Sequence, residues 1–126
     1  MAKQKLPHAK NWKERNIDNW NATTFFNYLC DQHRIVRGID YITKTTVKMD
    51  MILINQVYKK YGRLETKMFI DKCLKDYNGT SQYKICTFWF MRTYMLAQVM
   101  PQVQTSIKRT EDIQNALEEN LDDLTF

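Results

Sequence analysis

The sequence predicts an all-α fold: a compact bundle of four main helices around a buried central helix, with an acidic C-terminal helix or tail. Glycine and proline are scarce, three and two in 126 residues, so the tight turns that hairpins need are few and a sandwich or barrel is disfavoured. Apolar residues recur at helical spacing in several stretches, each opened by Asn or Thr, and glycines stand at their ends. A chain of this length makes one domain and buries about two-thirds of the surface its unfolded form exposes, so it needs no disulfides. Cys30, Cys73 and Cys86 all sit in apolar segments and fit reduced core thiols of a cytoplasmic protein. Met1 to Lys10 lacks the apolar core of a signal peptide.

The central helix is expected between Cys86 and Pro101. Thr87 is its N-cap, and Pro101 should stop it because the ring clashes with the preceding turn. Only Arg92, Thr93 and Gln98 are polar between Phe88 and Met100, so nearly every side is apolar and must be covered by protein or lipid. The run is shorter than the roughly 20 residues a bilayer needs and carries Arg92 at its centre, which selects protein. Phe88, Trp89, Phe90 and Tyr94 are able to stack on bases, but an aromatic stripe at this spacing reads first as core.

Taken in order, the chain divides into a basic flexible arm (1–15), a helical domain (16–109) and an acidic amphipathic helix or tail (110–126). Trp12 and Trp20 flank Ile17, and at least one should anchor the arm. The first helix follows the N-cap Asn21 and runs to about Val36, burying Phe25 and Leu29 with Cys30 and His33 beside them, and Gly38 caps it. Asp40 to Lys44 reads as an extended connector. The second helix starts at Thr45 or Thr46 and ends at Gly62, with Val47, Met51, Ile54 and Tyr58 on one face and Met49, Leu53 and Val57 widening it. The third, from about Leu64 to Tyr77, should bury Leu64, Met68, Cys73, Leu74 and Tyr77 and close on a left-handed Asn78-Gly79. Beyond Pro101, Thr110 should cap a separate acidic helix with Ile113, Leu117, Leu121 and Leu124 on one face and Glu111 and Asp112 in its first turn.

Charge is divided along the chain. Residues 1–109 hold 19 basic against 8 acidic side chains, a net +11, while 110–126 hold six acids and no base, or −6. A cationic body has the footprint of a nucleic-acid binder, in which Lys and Arg displace counterions from phosphates. The phosphate-holding residues expected are Lys59, Lys60, Arg63 and Lys67 around the second helical turn, with Lys10, Lys13 and Arg15 of the arm, and Trp12 to stack on a base. A groove-reading helix-turn-helix is disfavoured against a structural hairpin with a basic corner. The third helix opens Leu-Glu-Thr-Lys, where Glu65 opposes phosphate.

Catalytic and metal readings are weaker. Cys30, His33, Cys73 and Cys86 make a zinc site only on paper, because neither downstream cysteine has a close partner in sequence. No glycine-rich phosphate loop is present, nothing marks an oxyanion hole beside a Cys-His pair, and carboxylates such as Asp71 and Asp76 pair with lysines at helical spacing. The reading is non-enzymatic, with no cofactor and no metal.

The chain ends Asp122-Asp123-Leu124-Thr125-Phe126, which resembles the C-terminal tip of bacterial single-stranded-DNA-binding proteins, with Thr125 where that family has proline. The resemblance implies a docking peptide: Phe126 the wedge, Leu124 a supporting contact, Asp122 and Asp123 the electrostatic part, received by a basic-rimmed apolar pocket on a replication or repair partner. It covers five residues; the body does not resemble that family's barrel. Lys60-Tyr61-Gly62 and Phe69-Ile-Asp-Lys-Cys-Leu74, in a short lysine- and aromatic-rich helical chain, look like small early or replication-associated phage proteins. The expected function is thus a nucleic-acid-associated accessory protein, of phage replication or transcription, that binds single- or double-stranded nucleic acid without a membrane. Its acidic tail would dock a partner or compete with phosphate for the body's lysines. The alternative is an interaction protein that inhibits or redirects a host complex through the acidic helix.

Overall fold

Asn21 begins the first helix by a reciprocal cap: its side chain accepts from the Thr24 N–H, and the Thr24 hydroxyl accepts from the Asn21 N–H. Helix α1 (Ala22–Arg37) ends at Gly38 in the left-handed region (φ 75), as the sequence predicts. The computed structural model describes residues 6–123, and all regular structure among them is helical. Helix α2 (Val47–Tyr61) is capped by Thr46, and Gly62, at φ 109, turns the chain directly into α3 (Arg63–Asp76). A last helix, α4, spans residues 88–123: a first turn Phe88–Phe90, a π-helical segment Met91–Met95, and Leu96–Asp123.

The bundle centres on α3, which packs against α1, α2 and α4. Phe69, Ile70, Cys73 and Leu74 are fully buried there, meeting Phe25 and Leu29 of α1, Ile54 and Val57 of α2 and Phe88, Met91, Val99 and Met100 of α4 in one core. Two expectations are corrected. Leu64 is exposed and Met68 only half-buried, because the inward face of α3 is set by Thr66, Phe69, Ile70 and Cys73. The Phe88–Met100 stretch is not enclosed: Trp89 and Phe90 are half-buried and Tyr94 is exposed.

The π-helical turn explains that all-round apolar pattern. Met91 and Val99 are both buried, yet eight residues of unbroken α-helix would rotate them about 80° apart. The wider turn between them absorbs one residue, so both reach the core while Arg92 and Thr93 face outward. Pro101 does not end the helix. It cannot donate to the Ala97 carbonyl, but that carbonyl lies on the exposed face where water serves, and the Gln102 side chain donates to the neighbouring Gln98 carbonyl at 3.0 Å. Nor does a new helix start at Thr110, whose hydroxyl donates back to the Ser106 carbonyl at 3.0 Å.

Candidate nucleic-acid interface

The arm and the α2–α3 corner, far apart in sequence, meet at one place. Trp12 anchors the arm: its indole N–H donates to Asp31 at 2.7 Å, and its ring stands edge-on to Tyr28 at 4.8 Å and to Trp20 at 6.3 Å. Trp20 is buried, and its N–H donates to the Arg15 carbonyl at 3.0 Å. From the other side, Arg63 of α3 donates through Nε to the Trp20 carbonyl at 2.8 Å and lays its guanidinium 5.1 Å over Tyr58. One turn on, the Lys67 ammonium lies 5.1 Å over Tyr28, the same ring that receives Trp12. Tyr28 is the junction of the two segments, and its hydroxyl donates to Asp71. Burial and that carboxylate push its ionisation far above the ordinary range.

Lys10, Lys13, Lys59, Lys60 and Arg63 are exposed, and among the described residues none of them forms an ion pair. Lys13 lies over Trp12 at 5.5 Å and Lys60 over Tyr61 at 5.2 Å. Lys67 alone is paired, with Asp71 at 3.5 Å. Arg15 keeps a buried Nε without a hydrogen-bond partner, the one such side-chain atom among the described residues. The arm is therefore built into the domain from at least His8 onward, through His8–Asn11 and Asn11–Glu14 turns, rather than hanging free. Trp12 serves as its anchor, with the indole N–H and ring edge committed to α1.

The acidic helix runs clear of this face. Every residue from Lys108 to Leu121 is exposed, and no ion pair joins that segment to the body among the described residues. Ile113, Leu117 and Leu121 form an exposed apolar stripe, 56%, 53% and 65% exposed. The side chains of Asp122 and Asp123, together with Leu124 and Phe126, lie outside the described residues.

His33, Cys73 and Cys86 are buried, and Cys30 is half-buried. His33 Nδ1 bonds the Ile39 carbonyl at 2.9 Å, while Nε2 accepts the Cys86 N–H at 3.1 Å, which fixes a neutral ring with the proton on Nδ1. Burial pushes the Cys30 thiol up to about 11 and Cys86 up to about 12, opposite to what a nucleophile needs. Among the described residues no group of three His, Cys, Asp or Glu side chains is placed to hold a metal, and no helix is long and apolar enough to cross a membrane.

Two features escaped sequence reading. Tyr28 gives no signal, because its part depends on an arm 16 residues away. Asp50 does give one: it sits four residues before Ile54 on the inward face of α2, where it is buried and accepts from Tyr41 at 2.7 Å. Compared with known proteins, the chain matches no family model, no curated protein and no solved structure.

Proposed function

We propose that the protein is a non-enzymatic nucleic-acid-associated accessory protein of phage replication or transcription, acting in the cytoplasm and holding phosphate backbone on its basic face. The observation that carries this reading is the meeting of the arm with the α2–α3 corner. Trp12 and Lys67 meet on Tyr28, and Arg15 and Arg63 both bond Trp20, so the arm that carries Lys10, Lys13 and Arg15 joins the corner that carries Lys59, Lys60, Arg63 and Lys67. Lys13, Lys60 and Arg63 ride on aromatic rings, and of the seven cations only Lys67 is held by a carboxylate among the described residues, so most need not break an ion pair to reach phosphate.

The test is a fluorescence-anisotropy titration of labelled single-stranded and duplex DNA and RNA at several salt concentrations. Affinity should fall linearly on a log–log plot, with a slope of about −0.9 per phosphate neutralised on duplex DNA. The double variant Lys59→Ala, Lys60→Ala should lower that slope by about two. Absence of binding to every form at low salt would overturn the reading.

A second reading is favoured by the exposed apolar residues Ile113 and Leu117. An apolar stripe flanked by acids suits a protein partner with a basic-rimmed groove, such as a replication, transcription or host complex. The tip Asp122, Asp123, Leu124 and Phe126 would extend that contact. A 1–109 fragment that keeps nucleic-acid binding but loses the protein partner would separate the two.

A further inference from the structure

The other end of α3 holds a groove of about 590 Å³, within the roughly 300–1,000 Å³ usual for small-ligand sites. Tyr77, Tyr83, Trp89, Phe90 and Tyr94 line it, Lys44 reaches it, and no lining residue is acidic. The nearest carboxylates in sequence, Asp40 and Asp76, are held by Arg34 at 2.9 Å and Lys72 at 3.0 Å.

The π-helical turn builds one wall. Its backbone bonds run from residue i to i+5, so residues five apart stand one above the other. Trp89 and Tyr94 accordingly meet with centroids 5.6 Å apart, while Phe90, four residues before Tyr94, meets it with centroids 5.0 Å apart as ordinary helical neighbours do. An unbroken α-helix would point Trp89 and Tyr94 about 140° apart. The loop builds the other wall. The Tyr77 hydroxyl donates to the Tyr83 carbonyl at 2.8 Å, closing the loop over Gly79, where a Cβ would lie 2.7 Å from that carbonyl oxygen and 2.8 Å from the Tyr77 ring. The expected left-handed glycine cap is absent; Gly79 is there for close approach.

Tyr77 belongs to the core and Phe90 packs against it, but core packing does not account for Tyr83 and Tyr94, which are 66% and 62% exposed. The Lys44 ammonium lies 3.0 Å from the Trp89 ring centroid and has no ion pair among the described residues. Arg37 stands 5.3 Å over Tyr77. Planar faces beside unpaired cations, with no anion in the lining, complement a planar aromatic ligand that carries negative charge.

We infer that this groove binds a nucleobase carrying a phosphate, the base stacked on Tyr94, whose ring stands edge-to-face with Trp89 at 77°, and the phosphate drawn to Lys44 over Trp89. The ligand is a free nucleotide or an unpaired nucleotide of a strand. The site lies about 20 Å along α3 from the basic face and does not depend on it.

Titration of the full chain with thymidine monophosphate and with a short oligothymidylate, followed by the Trp89 indole N–H resonance, tests the assignment. Either ligand should shift that resonance. Tyr94→Ala should weaken binding about 5- to 150-fold, Tyr83→Ala should also weaken it, and neither should change duplex affinity. Lys44→Met should lower the salt slope for the strand by about one. A shift with both ligands assigns a nucleotide site, and a shift with the oligomer alone assigns a strand site. The inference is overturned if neither ligand moves Trp89, if both tyrosine variants bind as wild type, or if a polyproline peptide moves Trp89 and the nucleotides do not. Duplex binding retained in those cases would leave the basic face standing. Loss of duplex binding with intact nucleotide binding would remove the basic face and keep the groove.

Discussion

Tyr41 shows how much one side chain off the helices holds. Its hydroxyl accepts the Phe88 N–H at 2.9 Å and donates to buried Asp50 at 2.7 Å, tying the start of α4 to α2. Phenylalanine there would leave a backbone donor and a buried carboxyl each short of a partner, at a cost of roughly 1–3 kcal/mol apiece. Tyr41→Phe should therefore lose about 2–6 kcal/mol in urea denaturation, whereas exposed Tyr83→Phe should lose almost nothing. His33 supplies the second clamp on the same segment, and burial depresses its protonation below the ordinary 6.5. The folded state then binds fewer protons than the unfolded one, so this contribution is complete above about pH 6.5 and is lost as pH falls through the lowered value. Asp50 works in the opposite sense and in a more acid window. Burial raises its carboxyl above 3.8, and its contribution fades as pH rises through that raised value. Thermal midpoints should thus decline from pH 7.5 towards pH 5, and His33→Gln should lack its share of that decline.

At the scale of elements, Pro101 separates local rules from their context. A proline within a helix costs about 3 kcal/mol relative to alanine, yet here the helix continues through it. Because residue 101 is exposed and its backbone already helical, Pro101→Ala should restore the missing hydrogen bond to Ala97 and stabilise the protein by about 1–3 kcal/mol, read from thermal unfolding. Failure to stabilise would mean that the proline shapes how Val103 meets the core. The same helix shows what sequence periodicity conveys. Caps at Asn21, Thr46 and Thr87 and the glycines at 38 and 62 were legible because each acts over three or four residues. The inward face of α3 was not, since Thr66 is buried by donating to the Gly62 carbonyl at 2.7 Å while Leu64 faces water. A π-helical turn has no composition of its own, so two apolar registers joined by one inserted residue read as a helix apolar all round. The basic face was legible residue by residue, as two lysine-rich stretches, but their adjacency depends on Trp20 and Tyr28. The aromatic groove was legible only as a stripe, with Tyr83 and Lys44 supplied by the loops.

For the whole molecule, the question is how a body of +11 and a tail of −6 act on one another. Tethering alone suggests that the tail competes with phosphate for the lysines. The geometry argues otherwise for the described part, because the acids from Glu111 to Glu119 lie on a continuous helix whose residues are exposed from Lys108 to Leu121. From Arg109 to residue 123 the helix rises about 21 Å, more than twice the roughly 8 Å screening length at 0.15 M salt but within the roughly 30 Å at 0.01 M. Removing residues 110–126 takes no described side chain from the core, since every residue from Lys108 to Leu121 is exposed, so the 1–109 fragment should melt close to the full chain. Its affinity for nucleic acid should exceed that of the full chain at 0.01 M salt, where six anions still repel phosphate, and should match it at 0.15 M, where they are screened. Tightening that persisted at 0.15 M would require the tail to lie on the lysines, and the extended helix would then not be the state that meets nucleic acid. Equal affinities at both concentrations would instead mean that the acids are already neutralised, as they would be if this helix docked on a basic surface of another chain.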